Sequence, residues 1–249
     1  MANIIRLELA HNFEAFDKEW PTELIASRDA ITPCKRSFEE SYVRICSIQA
    51  WRINVVRPLN LDGPEAFFFE AQNDLLTSHW LARCGAFRPA LKALRSAIEN
   101  IYFSLFYKDH SVELAQWELG KHKLGFTELH KYVEAHPLVD GRSLAKDCLA
   151  ELKSEYATLS KAVHGSAKAF RMTQNLEDIR LWSADPPSVS KWAAREKSVI
   201  SNINLLLLHF FYEQLQGASK RDVRNIISCV IPQSKHGEIK ASLQVKLRT

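Results

Sequence analysis

Large apolar residues recur at spacings of three and four along most of the chain. This is the period of an amphipathic α-helix, and it leaves little room for another kind of fold. Over 66–82 the stripe is Phe67, Phe68, Leu75, Leu76 and Trp80, and over 87–107 it is Leu91, Leu94, Ile98, Ile101, Tyr102 and Leu105. These two stretches predict long antiparallel helices turning near Cys84 and Gly85. A third helix is predicted over 142–164, where Leu149, Leu152, Tyr156, Leu159 and Val163 share a seam and Gly165 supplies the stop. A fourth runs over 189–216 on Val199, Ile203, Leu206, Leu207, Phe210 and Phe211 and ends at Gly217. The connections at 58–64, at 137–141 and at Asp185-Pro186-Pro187 are short. The expected fold is all-α, an up-and-down helical bundle.

Both ends follow a different period. From Glu238 the residues Ile239, Ala241, Leu243, Val245 and Leu247 alternate with Lys240, Ser242, Gln244, Lys246 and Arg248. Near the start Ile5, Leu7 and Leu9 alternate with Arg6 and Glu8. Alternation is the period of a half-buried strand, and lone strands leave backbone groups unpaired, so a small terminal β clasp is expected, or pairing with a second copy or a protein partner. The expected organisation is an N-terminal helical segment with a short strand (1–65), a helical bundle (66–217) and a basic tail with a strand (218–249).

Composition narrows the class. A chain of 249 residues with 46% hydrophobic and 25% charged residues has ample material for a core, and 8 Gly with 9 Pro exclude collagen-like or low-complexity chains. The formal charge of +4 is too small to mark a nucleic-acid binder by bulk charge alone. It is unevenly spread, because the residues from Ala218 onward carry seven cations against Asp222 and Glu238, a basic tail suited to phosphate or an acidic partner. Cys34, Cys46, Cys84, Cys148 and Cys229 are odd in number with no C-x-x-C pair, which argues for buried free thiols in a reducing cytoplasm. No secretory leader is expected at 1–12, and no apolar run reaches the roughly 20 residues of a membrane span.

Familiar catalytic signatures are missing. The sequence has no G-x-G-x-x-G, no G-x-x-x-x-G-K-[ST], no H-E-x-x-H and no G-x-S-x-G, so no cofactor and no metal is expected. One polar edge stands out instead. Tyr156, Ser160 and His164 lie at i, i+4 and i+8, so phenol, hydroxyl and imidazole share one side of the third helix. Lys161, His164, Lys168 and Arg171 follow at spacings of three, four and three, a cationic stripe holding one titratable imidazole if the helix persists. Such a stripe suits RNA cleavage without metal, in which histidine moves a proton and a neighbouring cation offsets the charge of the phosphorane. The structural alternative is a histidine placed favourably at the negative end of a helix dipole. On the earlier helix Arg88, Lys92, Arg95 and Glu99 fall on one face, where Glu99 can pair with Arg95 one turn away. Trp80, Trp117, Trp182 and Trp192 are expected to pack against the body, and His122 and His130 to lie on the surface.

Leu94-Arg-Ser-Ala-Ile-Glu-Asn100 on one long helix, followed by Tyr156-x-x-Leu-Ser-x-x-x-His164-Gly165, resembles the HEPN superfamily of nucleotide-binding helical domains. It is most similar to the bacterial members found among toxins, abortive-infection and anti-phage proteins. The similarity covers residues 67–211. The resemblance implies a dimerising helical bundle whose active members cut RNA without metal, through an arginine placed four to six residues ahead of a histidine, and leave a cyclic phosphate. The chain departs from that pattern, since Ala157, Thr158 and Leu159 stand where the arginine belongs, and the literal match at Arg6 and His11 lies outside the bundle. On this reading His164 is the general acid or base and Arg95 stabilises the phosphate charge. Glu99 and Asn100 orient Arg95, Tyr156 and Ser160 order the edge, and Lys161, Lys168, Arg171, Arg88 and Lys92 bind the RNA backbone. The alternative is a catalytically degenerate HEPN-like scaffold or regulatory subunit that holds a protein or nucleic-acid partner.

Overall fold

The protein is described by a computed structural model that covers residues 2–164 and 184–247. Ten α-helices and no strands occur among the described residues. They are α1 (Ala2–Ala30), α2 (Lys35–Trp51), α3 (Asp62–Arg83), α4 (Phe87–Asp109) and α5 (Ser111–Glu118), then α6 (Phe126–Glu134), α7 (Ser143–His164), α8 (Pro186–Phe211), α9 (Arg221–Ser228) and α10 (Gln233–Leu243). The four helices expected from apolar periodicity are all present, as α3, α4, α7 and α8.

Helices α3 and α4 form a hairpin that turns at Gly85. This residue has a φ of +77°, and the Gly85 and Ala86 amides close the turn on the Ala82 and Leu81 carbonyls. A Cβ at Gly85 would lie 2.5 Å from Ser27 Oγ and 2.9 Å from the backbone nitrogen of Ala184, so the turn needs glycine for space as well as for conformation. Ser27 at the end of α1 donates to the Cys84 carbonyl at 3.0 Å and ties the first helix to this corner. Helices α7 and α8 pack on α4, and α2 closes the bundle against α8 and α3. The Asp185-Pro186-Pro187 break proves to be the start of α8. Asp185 Oδ1 accepts from the Ser188 amide at 2.8 Å, and proline at the first helical positions has no amide proton to lose.

One hydrophobic cluster joins Ile31 to Leu247 and includes Trp51, Phe68, Leu94, Tyr102, Leu152 and Leu206. Its polar members are paired. Trp51 Nε1 donates to Asn204 Oδ1, whose amide nitrogen donates to Ser47 Oγ, and Trp192 Nε1 donates to Ser78 Oγ. His209 is the exception, fully buried with neither ring nitrogen hydrogen-bonded among the described residues.

The β clasp is corrected. Residues 5–9 lie within α1, whose described side chains are all exposed from Ile4 to Glu23. At the other end α10 places Ile239 and Leu243 one turn apart on its buried side and leaves Ala241 exposed. Gln244, at φ 54°, then ends the helix, and only Val245 and Leu247 keep the in-out alternation, both buried without strand pairing. Alternation of apolar and polar residues does not by itself distinguish a strand from a helix whose outward positions are small or polar. Three side-chain expectations also change. Of the cysteines only Cys148 is buried, while Cys34, Cys46 and Cys84 are half-buried and Cys229 is exposed. Trp80 is 63% exposed rather than packed, and His130 is buried beneath Tyr102, whose hydroxyl lies 3.3 Å from His130 Nδ1. Trp192 is buried as expected, Trp117 covers Phe67 while remaining half open, and Trp182 lies outside the described residues.

Candidate functional site

Antiparallel α4 and α7 bring four of the predicted site residues into one half-buried cluster. Arg95 Nε donates to Ser160 Oγ at 3.0 Å, one terminal nitrogen donates to Glu99 Oε2 at 3.0 Å, and the other donates to the Tyr156 hydroxyl. That hydroxyl in turn donates to Glu99 Oε1 at 2.6 Å, closing a ring of three side chains. Ser160 spends its proton on the Tyr156 carbonyl one turn back, which leaves its oxygen free to accept from Arg95. The guanidinium carbon also sits 4.6 Å from the centre of the Tyr156 ring, and Phe126 from α6 stacks on that ring at 3.6 Å. Burial first, then the Glu99 carboxylate, pushes the Tyr156 phenol well above its usual range, so it stays protonated and keeps donating.

The expected i+4 pair of Arg95 and Glu99 is present, and Tyr156 and Ser160 share the edge that their spacing predicts. Asn100 does not join them. Its amide donates to Asp74 Oδ2 on α3 at 2.8 Å, so it braces the hairpin instead of orienting Arg95. Burial raises the Asp74 carboxyl, against the hydrogen bonds from Ser96 and Asn100.

His164 is exposed and closes the last turn of α7. Arg95 reaches Ser160, a full helical turn or about 6 Å before it. Arg88 is the cation level with His164, because its Nε donates to the Ala162 carbonyl at 3.0 Å and its Nη2 approaches the Val163 carbonyl at 3.5 Å. Arg88 thereby caps the negative end of α7 and leaves Nη1 without a hydrogen bond among the described residues. Lys92 and Lys161 are exposed on the same two helices. Lys168 and Arg171 lie outside the described residues.

A second polar cluster has no counterpart among the residues that sequence spacing singles out. It joins α2, α3 and α8. Ser41 Oγ lies 2.9 Å from His79 Nδ1 and donates to Glu196 Oε1 at 3.0 Å, while Arg44 Nε donates to Glu196 Oε2 at 2.6 Å. All four side chains are buried. Burial, and then Arg83 and Arg44, pull the His79 imidazole down to about 4. Burial pushes the Glu196 carboxyl up to about 7, against the pull of Arg44 and the Ser41 hydrogen bond. One signal was available in the sequence. Glu196 sits one turn after Trp192 and three residues before Val199, a carboxylate on an apolar stripe, and such a residue needs a partner from elsewhere in the fold.

Among the described residues no three His, Cys, Asp or Glu side chains are placed to hold a metal ion, and no helix is long and apolar enough to cross a membrane. No family model, curated protein or solved structure matches the chain.

Proposed function

We propose that the protein acts on RNA in the cytoplasm as a metal-independent endoribonuclease of the HEPN-like kind, a homodimeric effector of a bacterial toxin or anti-phage system. The observation that supports this reading is the α4–α7 edge. Arg95, Glu99, Tyr156 and Ser160 lock the two helices in register, and Arg88 fixes the last turn of α7, where the His164 imidazole stands open to solvent. In the proposed reaction His164 takes the proton from a ribose 2′-hydroxyl. The freed oxygen bonds to the adjacent phosphorus, the bond from phosphorus to the 5′-oxygen breaks, and that oxygen takes up a proton. The products are a 2′,3′-cyclic phosphate and a 5′-hydroxyl. Arg88, level with His164, offsets the charge that gathers on the phosphorane, while Lys92 and Lys161, together with Lys168 and Arg171, hold neighbouring phosphates. Arg95 positions α7 and does not itself reach the reacting phosphate.

A second reading is favoured by the state of Arg95. Glu99 offsets its charge, and Ser160 and Tyr156 occupy its fork, as expected of a HEPN-like module that binds a partner without cutting.

One experiment separates the two. Purified protein is incubated with total cellular RNA in chelator, and wild type is compared with His164→Ala and Arg88→Ala by gel and by end-group analysis. The enzyme reading expects fragments with cyclic-phosphate ends from wild type, none from His164→Ala, and an unchanged melting temperature for that variant because the side chain is exposed. Intact RNA with folded wild type overturns it in favour of the non-cutting module.

A further inference from the structure

A cavity of about 540 Å³ opens between the end of α1, α2 and α3. It lies apart from the α4–α7 edge. We propose that it is a binding site for a small aromatic anion, held by His79 Nε2 in its floor, Phe38 and Tyr42 in its wall, and Lys35 and Arg83 at its mouth.

Three observations carry the assignment. The first is an unfilled hydrogen-bonding valence. His79 is 6% exposed and lines the cavity, and Ser41 engages its Nδ1, but Nε2 has no hydrogen bond among the described residues and is not sealed from solvent. An open ring nitrogen with no protein partner is free to bind water or the polar hydrogen of a ligand. The chain behind it gives the nitrogen a role. With Glu196 ionised and accepting from Ser41, the serine oxygen accepts from Nδ1–H, and Nε2 faces the cavity as an acceptor. A ligand hydroxyl or N–H is its natural partner.

The second observation is charge. Arg44 is spent on Glu196, and Lys35 and Arg28 pair with Glu39 and Asp29 in exposed contacts that leave both cations available. Arg83 makes no ion pair among the described residues and rests over Phe38 at 5.7 Å and Trp80 at 5.9 Å. Glu39 is the one carboxylate in the lining, against Arg28, Lys35 and Arg83, so the mouth is net electropositive, with a fork suited to carboxylate or phosphate. The third is shape. The volume lies in the range of roughly 300–1,000 Å³ typical of small-molecule sites, the buried wall residue Phe38 is held rigid by stacking on Trp192, and the exposed Tyr42 beside it supplies an aromatic surface for a flat ring.

The test is calorimetric titration with 4-hydroxybenzoate and phenyl phosphate, with benzamidine as the cationic control, followed by NMR of the histidine ring nitrogens. The site expects at least one anion to bind at millimolar concentration or below, benzamidine not to bind, and the His79 resonance to move while that of His164 stays. A preference between the two anions identifies carboxylate or phosphate as the recognised group. Arg83→Ala is expected to weaken binding about fivefold, the loss of one exposed ionic contact. Val43→Trp, which fills the mouth from an exposed position, is expected to abolish binding while the melting temperature stays at the wild-type value. The assignment is overturned if neither anion binds folded wild type, if benzamidine binds as well as the anions, or if Val43→Trp leaves affinity unchanged.

Discussion

The phenol of Tyr156 accepts from one charged group and donates to another, so removing it leaves both imperfectly partnered. Tyr156→Phe keeps the ring under Phe126 and deletes only the hydroxyl. The expected loss is about 1.5–3 kcal/mol of unfolding free energy by denaturant titration, the usual magnitude for a hydrogen bond to a charged group. In a double-mutant cycle with Glu99→Gln the two losses should fall short of additivity, because both changes break the same ring; additive losses would show that the ring does not act as a unit. Much of this cluster was legible beforehand, since i+4 spacing places Glu99 beside Arg95 and Ser160 beside Tyr156. The misplacement of Asn100 has an equally simple cause. One residue along a helix turns the side chain by about 100°, so the neighbour of Glu99 points at α3 and not at α7. The His79 cluster was legible only at Glu196, the carboxylate on an apolar stripe: its members come from three helices, and no local period records which buried polar groups will meet.

Periodicity located α3, α4, α7 and α8 because each buries a wide stripe, and burial is what writes a period into a sequence. Helix α1 writes none. Its described side chains from Ile4 to Glu23 are exposed, so nothing selects which of them are apolar, and a chance alternation reads as a strand. The start of α8 was visible as a break but not as a cap, since a proline pair interrupts one element without specifying the next. The cap makes a definite prediction. Asp185→Ala removes both the acceptor for the Ser188 amide and the bond from the Ser188 hydroxyl, and should lower stability by about 1 kcal/mol with the denaturant slope unchanged. Asp185→Asn should recover most of that loss. If alanine and asparagine behave alike, the side-chain oxygen does not support the helix.

The core is continuous across the three segments expected from the sequence, so titration of a single buried group bears on the stability of the whole fold. Burial, then Arg142, pulls His209 down to about 4 from its ordinary 6.5. A depressed histidine means that the unfolded chain takes up a proton the folded chain refuses. The associated stability is complete above pH 6.5 and is lost as pH falls towards 4; by pH 5 the loss is about 2 kcal/mol. Glu196, raised by burial, acts in the opposite sense, since its contribution is present at low pH and lost as pH rises through 7. Comparing wild type with His209→Leu cancels that and every other shared group. The variant should match or exceed wild type at pH 7, having removed two unpaired buried nitrogens, and should lose about 2 kcal/mol less between pH 7 and pH 5. Parallel pH profiles for the two proteins would place the acid sensitivity elsewhere.

The corner at Gly85 bears on ancestry. Ser27, Gly85 and Ala184 are far apart in the sequence, yet they meet around a gap smaller than a methyl group. Drift elsewhere on the surface can erase every alignable resemblance without disturbing the bundle, but a side chain at this corner would force the end of α1 and the approach to α8 apart. A distant cousin with this architecture would therefore be recognised less by the residues it shares than by one position, between the third and fourth helices, at which it is obliged to carry no side chain at all.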